Sequence, residues 1–304
     1  AGRLADTLER CLPQAERDNQ PVHLVAHSMG GLVVRCMIAD GARGASLWQR
    51  ITRLPGSRFL MLGTPNFGSY EAMRWLTGFN PTEAKLSLLD FTQSTDDIVN
   101  LVRRYPGLLE LLPFGTQDPD FSTVAPWQSI KDKTLAAWDV PQSDDLRIAA
   151  ATWQCLRNAA PDPRFMRYVA GSQAATVTDY QLLADDDLTN PRQHLDFIAT
   201  RRGDGTVTWA SGTLPGVPMW FVDDTPHDAL CSATQAFPEA EGAGHGHSFD
   251  IRGTDDSSIG GDGKRLRPAR PSAAPSRTIP AARNPSCHHP RRPPCRTASS
   301  AWAR

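Results

Sequence analysis

The chain has 304 residues, enough for one large α/β domain or two small ones, and its formal net charge of −1 gives no ground for a nucleic-acid or acidic-membrane partner. That average hides a split: residues 1–263 carry 22 Lys+Arg against 33 Asp+Glu, whereas residues 264–304 carry ten basic residues and no acidic one. The six cysteines (Cys11, Cys36, Cys155, Cys231, Cys287, Cys295) contain no CxxC pair, which is poor spacing for zinc or a disulfide framework and suits ordinary buried thiols better.

Residues 1 to about 18 place Leu4, Leu8 and Cys11/Leu12 at helical spacing with charge between them. VHLVA (Val22 to Ala26) is then a short apolar strand, and GLVVRCMIAD after the glycines reads as a buried helix. FLML, inside SRFLMLGTPNFGS, gives a second buried strand ending in Gly-Thr-Pro. Strand, helix, strand with apolar runs throughout predicts a parallel sheet covered by helices. From about Tyr70 to Asp162 the pattern is helical and interrupted, without an obvious strand, and predicts a helical cap over a site. Its tryptophans Trp75, Trp127 and Trp138 suggest an apolar underside suited to a lipid-like substrate, and the same apolar residues fit plain core packing equally well. Strands resume in MRYVAGS, TDYQLL and VPMWFV, and HDALCSATQAF begins a helix whose pattern stops at Phe237.

Beyond it the composition turns to Pro, Arg, Ala, Ser and Gly, with five Leu, Ile, Val or Phe from Glu239 to Arg304. Such a segment buries too little apolar surface to offset its ordering entropy, so residues 238–304 read as a disordered basic tail. Its Arg/Pro/Ala/Gly bias suggests a non-native, wrong-frame extension; the alternative is a natural tail that binds acidic partners. GHGHS and CHH in the tail read as accidental spacing and not as metal ligands. No apolar stretch is long enough for a membrane span, and no signal peptide is visible in a chain that starts inside an apparent helix. Location and oligomeric state are not readable.

The chemistry concentrates in AHSMGG (Ala26 to Gly31), a small-x-Ser-x-Gly pattern between strand and helix. The chain turns so sharply at such an elbow that Ala26 and Gly30 must be nearly free of side chain, and the Ser28 hydroxyl stands proud at the end of the sheet. The following helix aims its N-terminus at the site, so the Met29 N–H is an oxyanion donor. A serine needs a base, and the base an orienter. In this architecture an acid and then a histidine follow the serine, which selects Asp204 in RRGDGTV and His227 in FVDDTPHDAL, each at a strand end. Asp204 should project freely from its loop, with Asp187 as the rival acid; Asp223, Asp224 and Asp228 lie too close to His227 in sequence to face it. Of the other histidines, His27 should point away from the face of Ser28, His23 packs in its strand and His194 reads as surface.

Together AHSMGG, LGTPNFGS, RRGDGTV and the histidine after the last strand resemble the α/β-hydrolase-fold lipases over roughly residues 1–237. The nearest branch is that of lecithin:cholesterol acyltransferase and the GPI-inositol-deacylase-like lipases. The resemblance implies an α/β-hydrolase fold and cleavage of carboxylic esters through a Ser28–Asp204–His227 triad and an acyl-enzyme. It implies an ester or lipid-like substrate and neither metal nor organic cofactor. Lipid O-acyl transfer by the same triad and an inactive hydrolase-like binding module are the alternatives. In the family two or more strands precede the elbow strand and supply the second oxyanion N–H. Here one helix precedes Pro21, so the front of the domain is expected to be missing, and that second donor has no candidate.

Overall fold

The computed structural model describes residues 1–80, 94–115, 119–184, 190–233 and 277–279. Its centre is a parallel four-stranded sheet of β1 (His23–His27), β2 (Arg58–Leu62), β3 (Met166–Gly171) and β6 (Met219–Val222), in that spatial order. The apolar run of β2 explains its place inside the sheet. Successive side chains of a strand point to opposite faces, so a strand covered on both sides has no polar positions. Phe59 and Met61 join one core with Leu8 and Leu12 of α1 (Gly2–Asp18), Val34 and Met37 of α2 (Met29–Ile38), and Leu47 and Ile51 of α3 (Gly41–Arg53). Leu60 and Leu62 face the other way, with Val169, Val222 and Leu230. That second face is covered unevenly, and Val25, which pairs with Leu60 at the β1 edge, is 51% exposed. The expected α/β class, a mostly parallel sheet flanked by helices, is the architecture found.

Between β2 and β3 run α4 (Tyr70–Thr77), α5 (Thr95–Val102), α6 (Pro106–Leu109), α7 (Val124–Thr134) and α8 (Ser143–Asn158). Ser69 caps α4, and a reciprocal Ser94/Asp97 capping box starts α5, satisfying donors a helix start leaves open. These helices form a second core with β4 (Thr176–Leu182) and β5 (Leu195–Thr200). TDYQLL is a strand, as expected, and it pairs antiparallel with β5 in a separate sheet. LDFIAT escapes a sequence reading because Asp196 breaks its apolar run, although that residue is itself buried. Trp127 and Trp138 are fully buried and hold the Arg103 guanidinium carbon 5.6 and 4.0 Å from their ring centroids. They are core residues, which removes them as an apolar underside for substrate; Trp75 is half-buried.

The expected buried thiols are also corrected. Cys36 and Cys155 are half-buried, whereas Cys11 and Cys231 are exposed, and all four are free. Cys11 precedes Leu12 on α1, and the 100° step between them turns the thiol to water while Leu12 enters the core. Burial pushes the Cys36 thiol up to about 11. The expected helix at HDALCSATQAF is a short 3₁₀ turn, His227–Ser232, as far as the described residues reach. A strand β7 (Arg277–Ile279) pairs antiparallel with β5; the rest of the basic tail, with GHGHS and CHH, lies outside the described residues. Among the described residues no helix is long and apolar enough to cross a membrane, and no cluster of three His, Cys, Asp or Glu could hold a metal ion.

The second core sets a stability expectation. Trp127→Ala should cost about 3–5 kcal/mol in denaturant unfolding, and truncating the exposed Ile148 under about 0.5 kcal/mol. His23 supplies a pH dependence. Burial, with Arg58 adding to it, holds its pKa below the usual histidine value, so the unfolded chain binds the proton more readily. This contribution is complete above the unfolded pKa of about 6.5 and is lost as pH falls through the lower folded value. His23→Gln should therefore flatten the decline of stability on acidification below about pH 6.5, measured by urea melts at several pH values.

Candidate active site

Ser28 follows β1 directly. Its N–H donates to Leu62 O at 2.8 Å, prolonging the ladder with β2, and the chain then turns at φ 54°, ψ −130° into α2. A non-glycine residue there carries strain of roughly 1–3 kcal/mol, held in place by the ladder on one side and the helix on the other. The steric demand falls differently from the expectation. A Cβ on Gly30 would meet Ala26 Cβ at 3.7 Å, an ordinary contact, whereas one on Gly31 would lie 2.1 Å from Thr64 Oγ1. Gly31 is therefore the position where the elbow helix touches the β2 loop. Met29, the first residue of α2, presents one of the N–H groups for which a helix start has no internal acceptor.

The loop after β2 is pinned by buried polar groups. Arg35 of α2 donates to Asn66 O and Oδ1 and to Leu156 O, and Tyr168 Oη donates to Thr64 O. Burial lowers Arg35 to about 10 and raises the Tyr168 phenol well above its ordinary value. Gly63 opens this loop at φ 56°. A Cβ there would lie 2.8 Å from Asp204 Oδ2 and 2.9 Å from His227 Nδ1. Gly171, the last residue of β3, would likewise put a Cβ 3.0 Å from Asp204 Cβ and 2.2 Å from Thr225 O. A glycine thus follows β2 and another closes β3, and Asp204, His227 and Thr225 fill the space they leave.

Asp204 comes from the loop after β5 and does not project freely, as the sequence suggests; it is 2% exposed. Its Oδ1 accepts from the Thr206 and Val207 N–H groups at 3.0 and 2.7 Å, and its Oδ2 from His227 Nδ1 at 2.8 Å. Because the carboxylate only accepts, Nδ1 carries the proton and Nε2 is left to accept. Nε2 lies 2.8 Å from Ser28 Oγ. His227 sits just past β6, and its own N–H donates to Asp204 O at 2.9 Å. Ser28, His227 and Asp204 thus form one hydrogen-bonded series at the carboxyl ends of the parallel strands, where ligands of open α/β sheets bind.

The remaining candidates separate. His194 is half-buried with Nδ1 3.1 Å from Leu183 O, and Asp187 lies outside the described residues. His27 does not point away: its ring centroid is 4.7 Å from that of His227, and its Nε2 is 2.8 Å from His227 O. Sequence reasoning missed this contact, and also Gly63 and Gly171, whose signal was a glycine closing each of two apolar runs. A cleft of about 280 Å³ opens beside the pair, lined by Gln173, Ala174, Ala175, Thr206 and Asp228 among others. It adjoins His227 and Asp204; Ser28 is not in its lining.

Residues 1–97, the segment that holds Ser28, match the model of the family described as "Putative serine esterase (DUF676)". Comparison with curated protein sequences returns no match. Among the solved structures that resemble the chain, three share 16% identity with it. In the crystal structure of the Tle4–Tli4 complex the likeness has a TM-score of 0.46 over 74% of this chain and 61% of that one. The Bacillus licheniformis lipase BlEst2 in its mature form gives 0.35 over 77% and 69%, and EstA from Clostridium botulinum 0.26 over 70% and 61%. The chain thus spans about 61% of the length of the first of these, and likeness at this level bears on neither substrate nor partner.

The glycine packing leads to an expected outcome. Gly63→Ala should break the Asp204–His227 bond, seen as loss of the hydrogen-bonded imidazole N–H resonance in proton NMR. Gly30→Ala, which meets only an ordinary contact, should keep that resonance.

Proposed function

We propose that the chain is a serine esterase that cleaves carboxylic esters through an acyl-enzyme formed on Ser28. The observation that carries this reading is the unbroken pair of 2.8 Å contacts, Ser28 Oγ to His227 Nε2 and His227 Nδ1 to Asp204 Oδ2. The family match over residues 1–97 supports it, because the matched segment contains the nucleophile.

In this mechanism Oγ attacks the ester carbonyl carbon while His227 Nε2 takes the serine proton. The carbonyl oxygen becomes an oxyanion, for which the Met29 N–H at the start of α2 is one donor. Collapse of the intermediate breaks the bond to the alkoxide, which leaves with the proton from Nε2. Water then repeats the sequence on the acyl-enzyme, releases the acid and restores Ser28. Asp204, locked by three hydrogen bonds and buried, holds the imidazole in the tautomer that can accept.

The resemblance to the lecithin:cholesterol acyltransferase and GPI-inositol-deacylase-like branch supports a lipid-like ester as the substrate class. The buried tryptophans lend that refinement no support. The helices between β2 and β3 are assigned as the cap of this site.

A fluorophosphonate probe should label the wild-type chain and leave Ser28→Ala unlabelled. Hydrolysis of a short p-nitrophenyl ester should fall by about 10⁴-fold in Asp204→Asn, where the wrong tautomer is held in an intact fold. A folded wild-type chain that neither takes the label nor cleaves the ester would end the esterase reading.

A further inference from the structure

We propose that His27 is a positioning residue that fixes the catalytic imidazole through the backbone of His227. The inference rests on the esterase reading above and adds a member to its machinery. His27 is the last residue of β1, and its Nε2 lies 2.8 Å from the carbonyl oxygen of His227. A carbonyl only accepts, so Nε2 carries a proton and donates it. The two rings lie at 4.7 Å with an interplanar angle of 42°, so the His27 ring also lies against the His227 imidazole.

Two consecutive residues therefore hold the same partner at two points, 200 and 199 positions away. His27 holds the carbonyl of His227, and Ser28 meets its ring. The need for such a clamp follows from where His227 sits. It lies at the entry to a short 3₁₀ turn, three residues after Asp224, which has φ 50°, and not in the body of a strand or a long helix. Asp204 fixes its N–H and its Nδ1; His27 fixes the carbonyl end. With that end released, the residue can rotate about its own backbone and carry Nε2 away from Ser28. A catalytic group has to be held to within about 0.5 Å of its productive position, and a displacement near 1 Å costs about a hundredfold in rate.

The test uses substitutions that separate the hydrogen bond from the bulk of the ring. His27→Phe keeps a ring and loses the donor. His27→Gln places an amide N–H where Nε2 stood, and His27→Asn places it a bond too short. If the proposal holds, Phe and Asn lower kcat on a p-nitrophenyl ester by about ten- to a hundredfold with KM within about twofold, and Gln stays within about threefold of wild type. The imidazole N–H resonance of His227 should broaden or vanish in Phe and persist in Gln. A His27→Phe variant with wild-type kcat and spectrum would overturn the proposal, and so would a Gln variant as impaired as Phe. The spectrum is read without substrate. A wild-type chain that shows the resonance and cleaves no ester therefore counts against the esterase reading alone, while loss in Phe with retention in Gln still supports the clamp.

Discussion

A carboxylate 2% exposed cannot exist in a protein interior without partners, and the surroundings of Asp204 are built around that requirement. The chain satisfies one oxygen locally, with the N–H groups of Thr206 and Val207, and gives the other to His227. The local half explains the tight Gly-Asp-Gly loop, which is closed by a Gly203–Thr208 bridge and tied to the end of β3 through Gln173 N–H to Gly203 O. The distant half explains why a glycine follows β2 and another closes β3, since a side chain at Gly63 would meet the Asp204–His227 pair and one at Gly171 would meet Thr225 and Asp204. The sheet ends, the loop and the imidazole are thus consequences of one buried charge.

The same logic runs through the elbow. Ser28 is held in a left-handed backbone by a ladder bond to Leu62 and by α2, and α2 is anchored by Arg35 to the loop after β2. Arg35 is a buried cation that donates to the carbonyl oxygens of Asn66 and Leu156 and to the side-chain amide oxygen of Asn66. It couples the helix behind the serine to the loop beneath the Asp–His pair. Ser28 and His227 are therefore set on one framework, and their separation is a property of the sheet.

Much of this is legible in the residues, for reasons that differ from part to part. The parallel strands announce themselves because a strand covered on both faces is apolar throughout, as FLML is. Ser28, Asp204 and His227 stand out because each occupies a short loop marked by glycine or proline at a strand end. The second sheet is not legible, because Asp196 interrupts β5 and the apolar side chains of β4 and β5 pack with helices distant in sequence. Burial of Asp204 is hidden for a related reason: Asp-Gly marks a turn, and whether a turn is solvated depends on what packs over it. The role of the tryptophans stays open in the sequence because an apolar side chain looks the same in a core and on an underside.

The bond between Ser28 and His227 spans 199 positions, and this has a consequence for the chain during its synthesis. Translation adds roughly 5–20 residues per second, so the serine exists for about 10–40 s before its histidine is made. On the esterase reading proposed above, it is throughout that interval an ordinary alcohol, unable to attack any ester near the ribosome. On that reading reactivity is withheld by topology alone, and it arrives only when β6 has docked.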